Sequence, residues 1–277
     1  YYSLLDYDLI RRTKKFAGLL NFKKLTTNKQ FLESLSFTAV FTVVSMIAIV
    51  VLGIGLALLL KQNFGGRKLI RTIALIPWGL SMIVVSIAAL WAFDNTYGIV
   101  NDLIRRIGFA GYHFNWLSDK TGAQVSVILV NIWKNVSFFG IIMLAAFQGI
   151  PGELFESAKI DGANDFTIWL KVILPLCKPV LATVALFIAV GQWNSFMDTY
   201  LYARELPTLQ YVLYEIMESA QIKVDPHAAA LGQLKNTVSP MSVRMAVTVV
   251  ATVPILVVYP FLQKYFVGGM TLGAVKD

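Results

Sequence analysis

Long apolar runs alternate with polar segments along nearly the whole chain. Four of the runs carry almost no charge over the roughly 20 residues that a helix needs to cross the hydrocarbon core of a bilayer. A fifth run is interrupted only by Lys134 near its middle. The pattern predicts five membrane-spanning helices, at about 37–60, 72–93, 123–147, 179–197 and 245–263.

The polar segments between these runs divide into two sets on opposite faces of the membrane. The sets are 1–35, 94–121 and 199–243 on one face, and 61–71 and 151–175 on the other. Pro77 and Gly79 predict a kink in the second span. The backbone N–H and C=O groups freed by the kink must form hydrogen bonds with neighbouring groups. An amphipathic stretch at 209–217 predicts a helix that lies along the surface.

Composition places the chain among helical membrane proteins. Hydrophobic residues make up 57% and charged residues 14%, far from the balance of soluble domains. We therefore predict an all-α polytopic membrane protein with a single transmembrane domain over 1–277. The net charge of +8 suits anionic lipid headgroups, and no basic–aromatic motif indicates nucleic acid. The single cysteine, Cys177, excludes an internal disulfide and a thiolate metal site.

The charged segment 151–175 predicts two short helices joined by a sharp turn at Gly162. Glycine adopts the left-handed conformation that ends a helix at low cost. The other residues that favour this structure are a first-turn proline, two acids near the positive end of the first helix, two alternative caps for the second helix and a proline that limits its end. In that order they are Pro151, Glu153 and Glu156, Asn164 or Asp165, and Pro175.

Charge counting leaves the orientation of these faces open. The 61–71 linker carries four basic residues and no acid, which is typical of a cytoplasmic loop. The 1–35 segment on the opposite face is also strongly basic. A membrane span preceding Tyr1 would change this count of basic residues on the two faces.

One motif within 151–175 resembles a known family. Glu156-Ser-Ala-x-x-x-Gly162, nine further residues and Val172-Ile-Leu-Pro175 are similar to the "EAA" loop of binding-protein-dependent ABC importer permeases. Ser157 and Val172 replace the usual Ala and Ile. The expanded motif at 156–165 is similar to the maltose-type carbohydrate-uptake branch. The stretch at 65–78 resembles one partner of the usual permease pair, whereas those at 191–198 and 259–266 resemble the other partner, notably its polysaccharide-fragment subgroup.

The resemblance implies a type I ABC importer permease fold with a six-helix core, of which five helices are visible and the first would precede Tyr1. It places the EAA loop in the cytoplasm, as a coupling helix that docks in a nucleotide-binding subunit. The residues carried over to this ATPase-coupling role are Glu156, Ser157, Ala158, Asp161 and Gly162. We expect the chain to lie in the cell inner membrane beside a second permease subunit, two ATP-binding subunits and an extracytoplasmic solute-binding protein, the last near 199–243.

The chain contains no Gly-x-x-x-x-Gly-Lys-Ser/Thr phosphate loop. We therefore expect no catalytic residues and no cofactor in this chain, with ATP and Mg²⁺ bound by the partner subunits. The predicted function is import of an oligosaccharide. The alternatives are import of another polar solute and, on weaker grounds, ion-coupled secondary transport, which would require buried acids in broken helices.

Polar residues at membrane depth are candidates for the substrate path, since they are costly there and usually functional. Amides and carboxylates exchange hydrogen bonds with sugar hydroxyls, and indole rings cover sugar faces. The alternative is a purely structural role, in which these side chains form hydrogen bonds between helices or an aromatic belt at the membrane interface. Lys134 could pair with an acid of the partner permease or attract an anionic substrate. The candidates are Asn131, Trp133, Lys134, Gln192, Trp193, Asn194 and Asp198.

Overall fold

The structure is a computed structural model that describes residues 1–7, 14–109, 111–203, 206–222 and 240–274. Helices dominate these residues. A short antiparallel hairpin, which the sequence analysis did not predict, pairs β1 (Leu5–Tyr7) with β2 (Lys14–Phe16). The helices in the first half are α1 (Leu20–Thr27), α2 (Lys29–Lys61), α3 (Arg67–Gly79), α4 (Met82–Ala92), α5 (Ile99–Arg106) and α6 (Lys120–Gln148).

The second half begins with the short helices of the 151–175 segment and ends in a long apolar helix. A π-helical stretch at Trp169–Ile173 joins two of the short helices without a break. The helices are α7 (Glu153–Ile160), α8 (Asp165–Ile168), α9 (Leu174–Leu176), α10 (Lys178–Trp193), α11 (Met197–Tyr202), α12 (Leu209–Ile222) and α13 (Pro240–Ala274).

Among the described residues, three helices are each long and apolar enough to cross a membrane, within α2, α6 and α13. Two further pairs of helices pass the same test only when taken together, and both are bent: α3 with α4 turns by 90°, and the helical run 165–176 with α10 turns by 67°. The described residues thus give three spans, or five if each bent pair is one span, and the number five stays a prediction. The kink predicted for the second span is a 90° break between α3 and α4, with Pro77 in the last turn of α3 and an extended backbone at Leu80.

The first of two compact units comprises Tyr1–Val40, Leu90–Gln124 and Trp193–Val257. Its apolar core is formed by side chains from α1, α2, α12 and α13, among them Leu25, Phe31, Leu209, Ala246 and Val247. Within this unit, the amphipathic stretch at 209–217 forms part of α12, as a helix was predicted, and its Leu209 and Val212 are buried. The predicted position along the membrane surface stays a prediction. Helix α5 occupies part of the segment that was predicted only as a polar loop.

The second unit comprises Phe41–Ala89, Val125–Gln192 and Val258–Asp277. Its core joins α2 and α6 to the helices of the 151–175 segment, through residues such as Ile49, Phe139, Met143, Ile168 and Ile173. Small residues let helices approach closely inside membranes. The division into two units concerns compactness, and the predicted single transmembrane domain stays a prediction.

Candidate functional site

Helix α7 ends in a turn that requires a residue with a left-handed backbone conformation. Gly162 has φ of +81°. Its N–H donates to the carbonyl of Lys159 at 3.0 Å, and the next N–H, of Ala163, donates to the carbonyl of Ala158 at 3.0 Å. These two bonds define a Schellman motif, which satisfies the last carbonyls of the helix. The turn predicted from Gly162 is therefore present.

Helix α8 starts immediately after this turn with a side-chain cap. The Asn164 Oδ1 accepts a hydrogen bond from the N–H of Thr167 at 2.7 Å, so Asn164 is the cap of the two alternatives. Lys159 and Asp165 form an ion pair of 3.2 Å that spans the turn from outside. The helical run continues one residue beyond Pro175, to Leu176. Local contacts thus fix the angle between α7 and α8.

One face of α7 is attached to the second unit. Phe155 and Ala158, three residues apart, both pack against the apolar core of that unit. The Lys61 ammonium at the end of α2 lies 4.1 Å from the centre of the Phe155 ring, a cation–π contact. The sequence analysis missed Lys61 and Phe155. The three-residue spacing of Phe155 and Ala158 was the available signal for a buried face.

The other face of α7 is exposed. Glu156, Ser157, Asp161 and Gly162 are all exposed, whereas Ala158 faces the core. Ile160 lies beside them with 86% of its surface exposed. Of the five coupling residues predicted from the sequence, four therefore form one accessible surface and Ala158 lies behind it.

Three amide side chains meet inside the second unit. The Asn131 Nδ2 donates to the Gln192 Oε1 at 2.8 Å, and both residues are buried. Asn135, one turn along α6, donates to the Asn131 carbonyl at 2.9 Å. Trp133, which lies between Asn131 and Asn135 in the chain, takes no part in these hydrogen bonds and is 52% exposed. Two predicted substrate-path residues, Asn131 and Gln192, are thus bonded to each other across two helices.

Lys134 contacts backbone carbonyls. Its Nζ donates to the carbonyl oxygens of Leu80 at 2.6 Å, Trp78 at 3.0 Å and Pro77 at 3.4 Å. These carbonyls belong to the break between α3 and α4. The ammonium therefore lies at a helix end, a setting that neither sequence-based alternative for Lys134 included.

The remaining predicted path residues belong to the first unit. The Trp193 Nε1 donates to the Ala251 carbonyl at 2.8 Å, and its ring packs against the core of that unit. Asn194 is exposed and accepts a hydrogen bond from Gln210 at 3.0 Å. Asp198 is 2% exposed.

The Asp198 carboxylate has two hydroxyl neighbours. It accepts hydrogen bonds from Ser195 and, at 3.5 Å, from Tyr202. Burial raises the pKa of Tyr202 well above its usual value, and the adjacent Asp198 charge raises it further. The Tyr202 hydroxyl therefore keeps its proton and remains a donor to the carboxylate.

An aromatic cluster that the sequence analysis missed lies where α11 meets α12. Its members are in ring contact at centroid distances from 5.8 to 6.3 Å, and they are Phe196, Tyr200, Tyr211 and Tyr214. The Glu218 carboxylate, and then Tyr200, raise the pKa of Tyr214. The available sequence signal for this cluster was the recurrence of aromatic residues after position 195.

Over the ranges that the structure describes, no group of three or more His, Cys, Asp or Glu side chains could hold a metal ion.

A family profile described as "Binding-protein-dependent transport system inner membrane component" matches residues 49–272. The chain is 44% identical over 137 residues to the protein LplC of Bacillus subtilis (strain 168), covering 49% of this chain and 46% of that protein. It is 34% identical over 168 residues to the trehalose/maltose transport system permease protein MalF of Thermococcus litoralis, covering 61% of this chain and 56% of MalF. The chain thus spans about half the length of these curated relatives.

The fold is similar to that of a solved transporter chain. The match is to the crystal structure of a bacterial alginate ABC transporter in complex with an alginate pentasaccharide-bound periplasmic protein. The TM-score is 0.73 at 21% sequence identity, and the alignment covers 88% of this chain and 81% of the other. At this identity the match establishes the fold of the chain.

Proposed function

The chain belongs to the family of binding-protein-dependent transport system inner membrane components, and on that premise we propose that it is the transmembrane subunit of an ATP-driven oligosaccharide importer. A second permease subunit completes the pathway beside it. Two ATP-binding subunits hold ATP and Mg²⁺ and hydrolyse the nucleotide. An extracytoplasmic solute-binding protein delivers the substrate near 199–243, of which residues 204, 205 and 223–239 lie outside the described residues.

The observation that carries the proposal is the two-faced geometry of α7. Its inner face, with Phe155 and Ala158, is packed into the core that contains α2 and α6. Its outer face presents Glu156, Ser157 and Asp161. A short helix held this way moves with the spans behind it. Docking of the outer face in a cytoplasmic ATP-binding subunit would transmit that subunit's closure to the spans as a switch between two states.

The relatives support a carbohydrate substrate. MalF is named as a trehalose/maltose permease, and the structural neighbour was solved with an alginate pentasaccharide bound to its periplasmic protein. The amides of Asn131 and Gln192, and of Asn194 near Trp193, could bond sugar hydroxyls if the transport cycle separates their present contacts. Trp133 and Asp198 complete the proposed path, whereas the Lys134 ammonium, also predicted for it, donates to the backbone carbonyls between α3 and α4.

Gly162→Asp tests the coupling role. An aspartate side chain would enter the contact with the ATP-binding subunit, so we expect stimulated ATP hydrolysis and transport to fall by more than about tenfold, a loss of roughly 1.4 kcal/mol or more of coupling. Membrane insertion should be unchanged. Gly66→Asp is the matched control, because Gly66 has a φ of +79° close to that of Gly162, and a side chain added at either glycine meets nothing within 4 Å.

A second variant separates backbone strain from contact with the partner. Asparagine tolerates the left-handed conformation better than most residues, so Gly162→Asn keeps the turn but still adds a side chain. It should also lose coupling. Normal binding-protein-stimulated ATP hydrolysis in both Gly162 variants would refute the docking role.

Two alternatives remain for comparison. Import of another polar solute would leave the coupling results unchanged, and thermal shifts of the accompanying solute-binding protein against a panel of sugars and other solutes would identify it. An ion-coupled secondary transporter would purify without ATP-binding subunits and would transport in their absence. Affinity purification of the tagged chain distinguishes this alternative from the importer.

A further inference from the structure

The second span is interrupted by an abrupt break. Helix α3 ends at Gly79 and α4 begins at Met82, with an angle of 90° between them. Pro77 lies in the last turn of α3, and Leu80 at the break has extended backbone angles. The last carbonyls of a helix have no partner within it. In hydrocarbon such groups must find another donor.

Lys134 supplies donors at this point. An ammonium group has three N–H donors, and the Lys134 Nζ lies 2.6 to 3.4 Å from the carbonyl oxygens of Pro77, Trp78 and Leu80. The carboxyl end of α3 carries negative partial charge, which also favours a cation there. The lysine charge and the free carbonyls would each be costly at membrane depth. Together they stabilise one another.

A second contact holds the same segment. The rings of Trp78 and Phe138 stack at 4.4 Å between centroids with an angle of 7°. Phe138 lies four residues after Lys134 on α6, so both side chains are on one face of the helix. Helix α6 therefore contacts the break at two points, through the hydrogen bonds of the Lys134 ammonium and through the stacked ring of Phe138.

We propose that Lys134 is a positioning residue that fixes the α3–α4 break to α6. Helix α6 continues to Gln148 and leads within a few residues into α7. Movement of α7 would consequently reach the break through Lys134, and the bend would move with the coupling helix. This consequence rests on the proposed function. The attachment of the α3–α4 break to α6 through Lys134, which we call the clamp, does not.

The direct test measures the bend. Spin labels at Leu69 in α3 and Ile87 in α4, which are 65% and 62% exposed, would be introduced as cysteines in a Cys177→Ala background. Helical rise places the two backbone sites about 20 Å apart across the 90° bend and about 27 Å apart if the span straightens. Double electron–electron resonance on the full chain in nanodiscs separates these distances without any partner subunit.

Removal of the ammonium should release the bend. Lys134→Met keeps an apolar stem, and we expect its distance distribution to broaden and shift toward the longer value. Lys134→Arg keeps charge and donors and should restore the short distance. Lys178→Met, at an exposed lysine, is the matched control and should match the wild-type protein. If Lys134→Met does not accumulate, Lys134→Gln, which keeps two N–H donors, should show a smaller shift in the same direction.

Transport gives the second readout. In the assembled importer, Lys134→Met should reduce transport by about tenfold or more while the ATP-binding subunits still copurify, and Lys134→Arg should recover most of it. An unchanged label distance in both the Met and Gln variants would overturn the clamp. A shifted distance in Lys134→Met, together with no ATP-dependent transport by the assembled wild-type protein, would instead preserve the contact of Lys134 with the break and refute the proposed function.

Discussion

The packing of α2 against α6 gives a sharp mutational prediction at Gly53. A methyl group added there would lie 3.1 and 3.2 Å from Cγ and Cε1 of Phe139, with Cδ1 of the same ring closer still. Ordinary contacts between such carbons are about 3.5–4.0 Å. Phe139 is fully buried, so its ring has no free space to enter. Gly53→Ala therefore requires the two helices to separate.

The size of the effect follows from a comparison with Gly55 in the same helix. A methyl group at Gly55 meets nothing within 4 Å. Gly→Ala gains helix propensity of about 1 kcal/mol at either site, so this gain cancels between the two variants. Overpacking costs about 1–3 kcal/mol, and Gly53→Ala should be less stable than Gly55→Ala by that amount.

Thermal unfolding of the purified protein in one detergent would measure this difference. With a shift of roughly 2–4 °C for each kcal/mol in a chain of this size, Gly53→Ala should melt several degrees below Gly55→Ala. Adding Phe139→Leu should recover part of the loss, because the smaller side chain leaves room for the methyl group. Equal melting temperatures for the two alanine variants would contradict the close approach of α2 and α6.

Two hydrogen bonds give further predictions. Gln192→Leu removes the bond to Asn131 and should cost about 0.6–1.7 kcal/mol in thermal unfolding. A double-mutant cycle with Asn131→Leu should show coupling, whereas additive losses would mean that the amides do not interact. Trp193→Phe loses the indole bond to a carbonyl of α13 and should cost about 0.5–1.5 kcal/mol. Trp91→Phe, at a 59% exposed site, should change nothing, and an equal effect at both sites would refute the role of the Trp193 bond.

The sequence predicted the elements whose causes are local. Long apolar runs predicted the membrane-spanning helices, because a helix that crosses a bilayer needs about 20 predominantly apolar residues. Gly162 predicted the end of α7, since few other residues adopt its left-handed conformation. Asn164 and Asp165 are both good caps, and only the structure showed that Asn164 accepts the bond from Thr167.

The sequence could not predict features that depend on contacts between distant residues. Pro77 and Gly79 suggested a kink, but the 90° break also involves Lys134, more than 50 residues away. The family motif groups Ala158 with its exposed neighbours, whereas the structure directs it toward the core beside Phe155. The hairpin at 5–16 has strands of three residues, too short for alternation to be visible in the sequence.

The central claim is that the outer face of α7 docks in an ATP-binding subunit. The direct measurement is photo-cross-linking in native membranes from Ser157, on that face, with Tyr97, 79% exposed in the 94–121 segment, as the control position. We predict that a cross-linker at Ser157 captures an ATP-binding subunit and that one at Tyr97 does not. Capture from neither position, or labelling of Ser157→Cys by a membrane-impermeant reagent added outside the cell, would contradict the account.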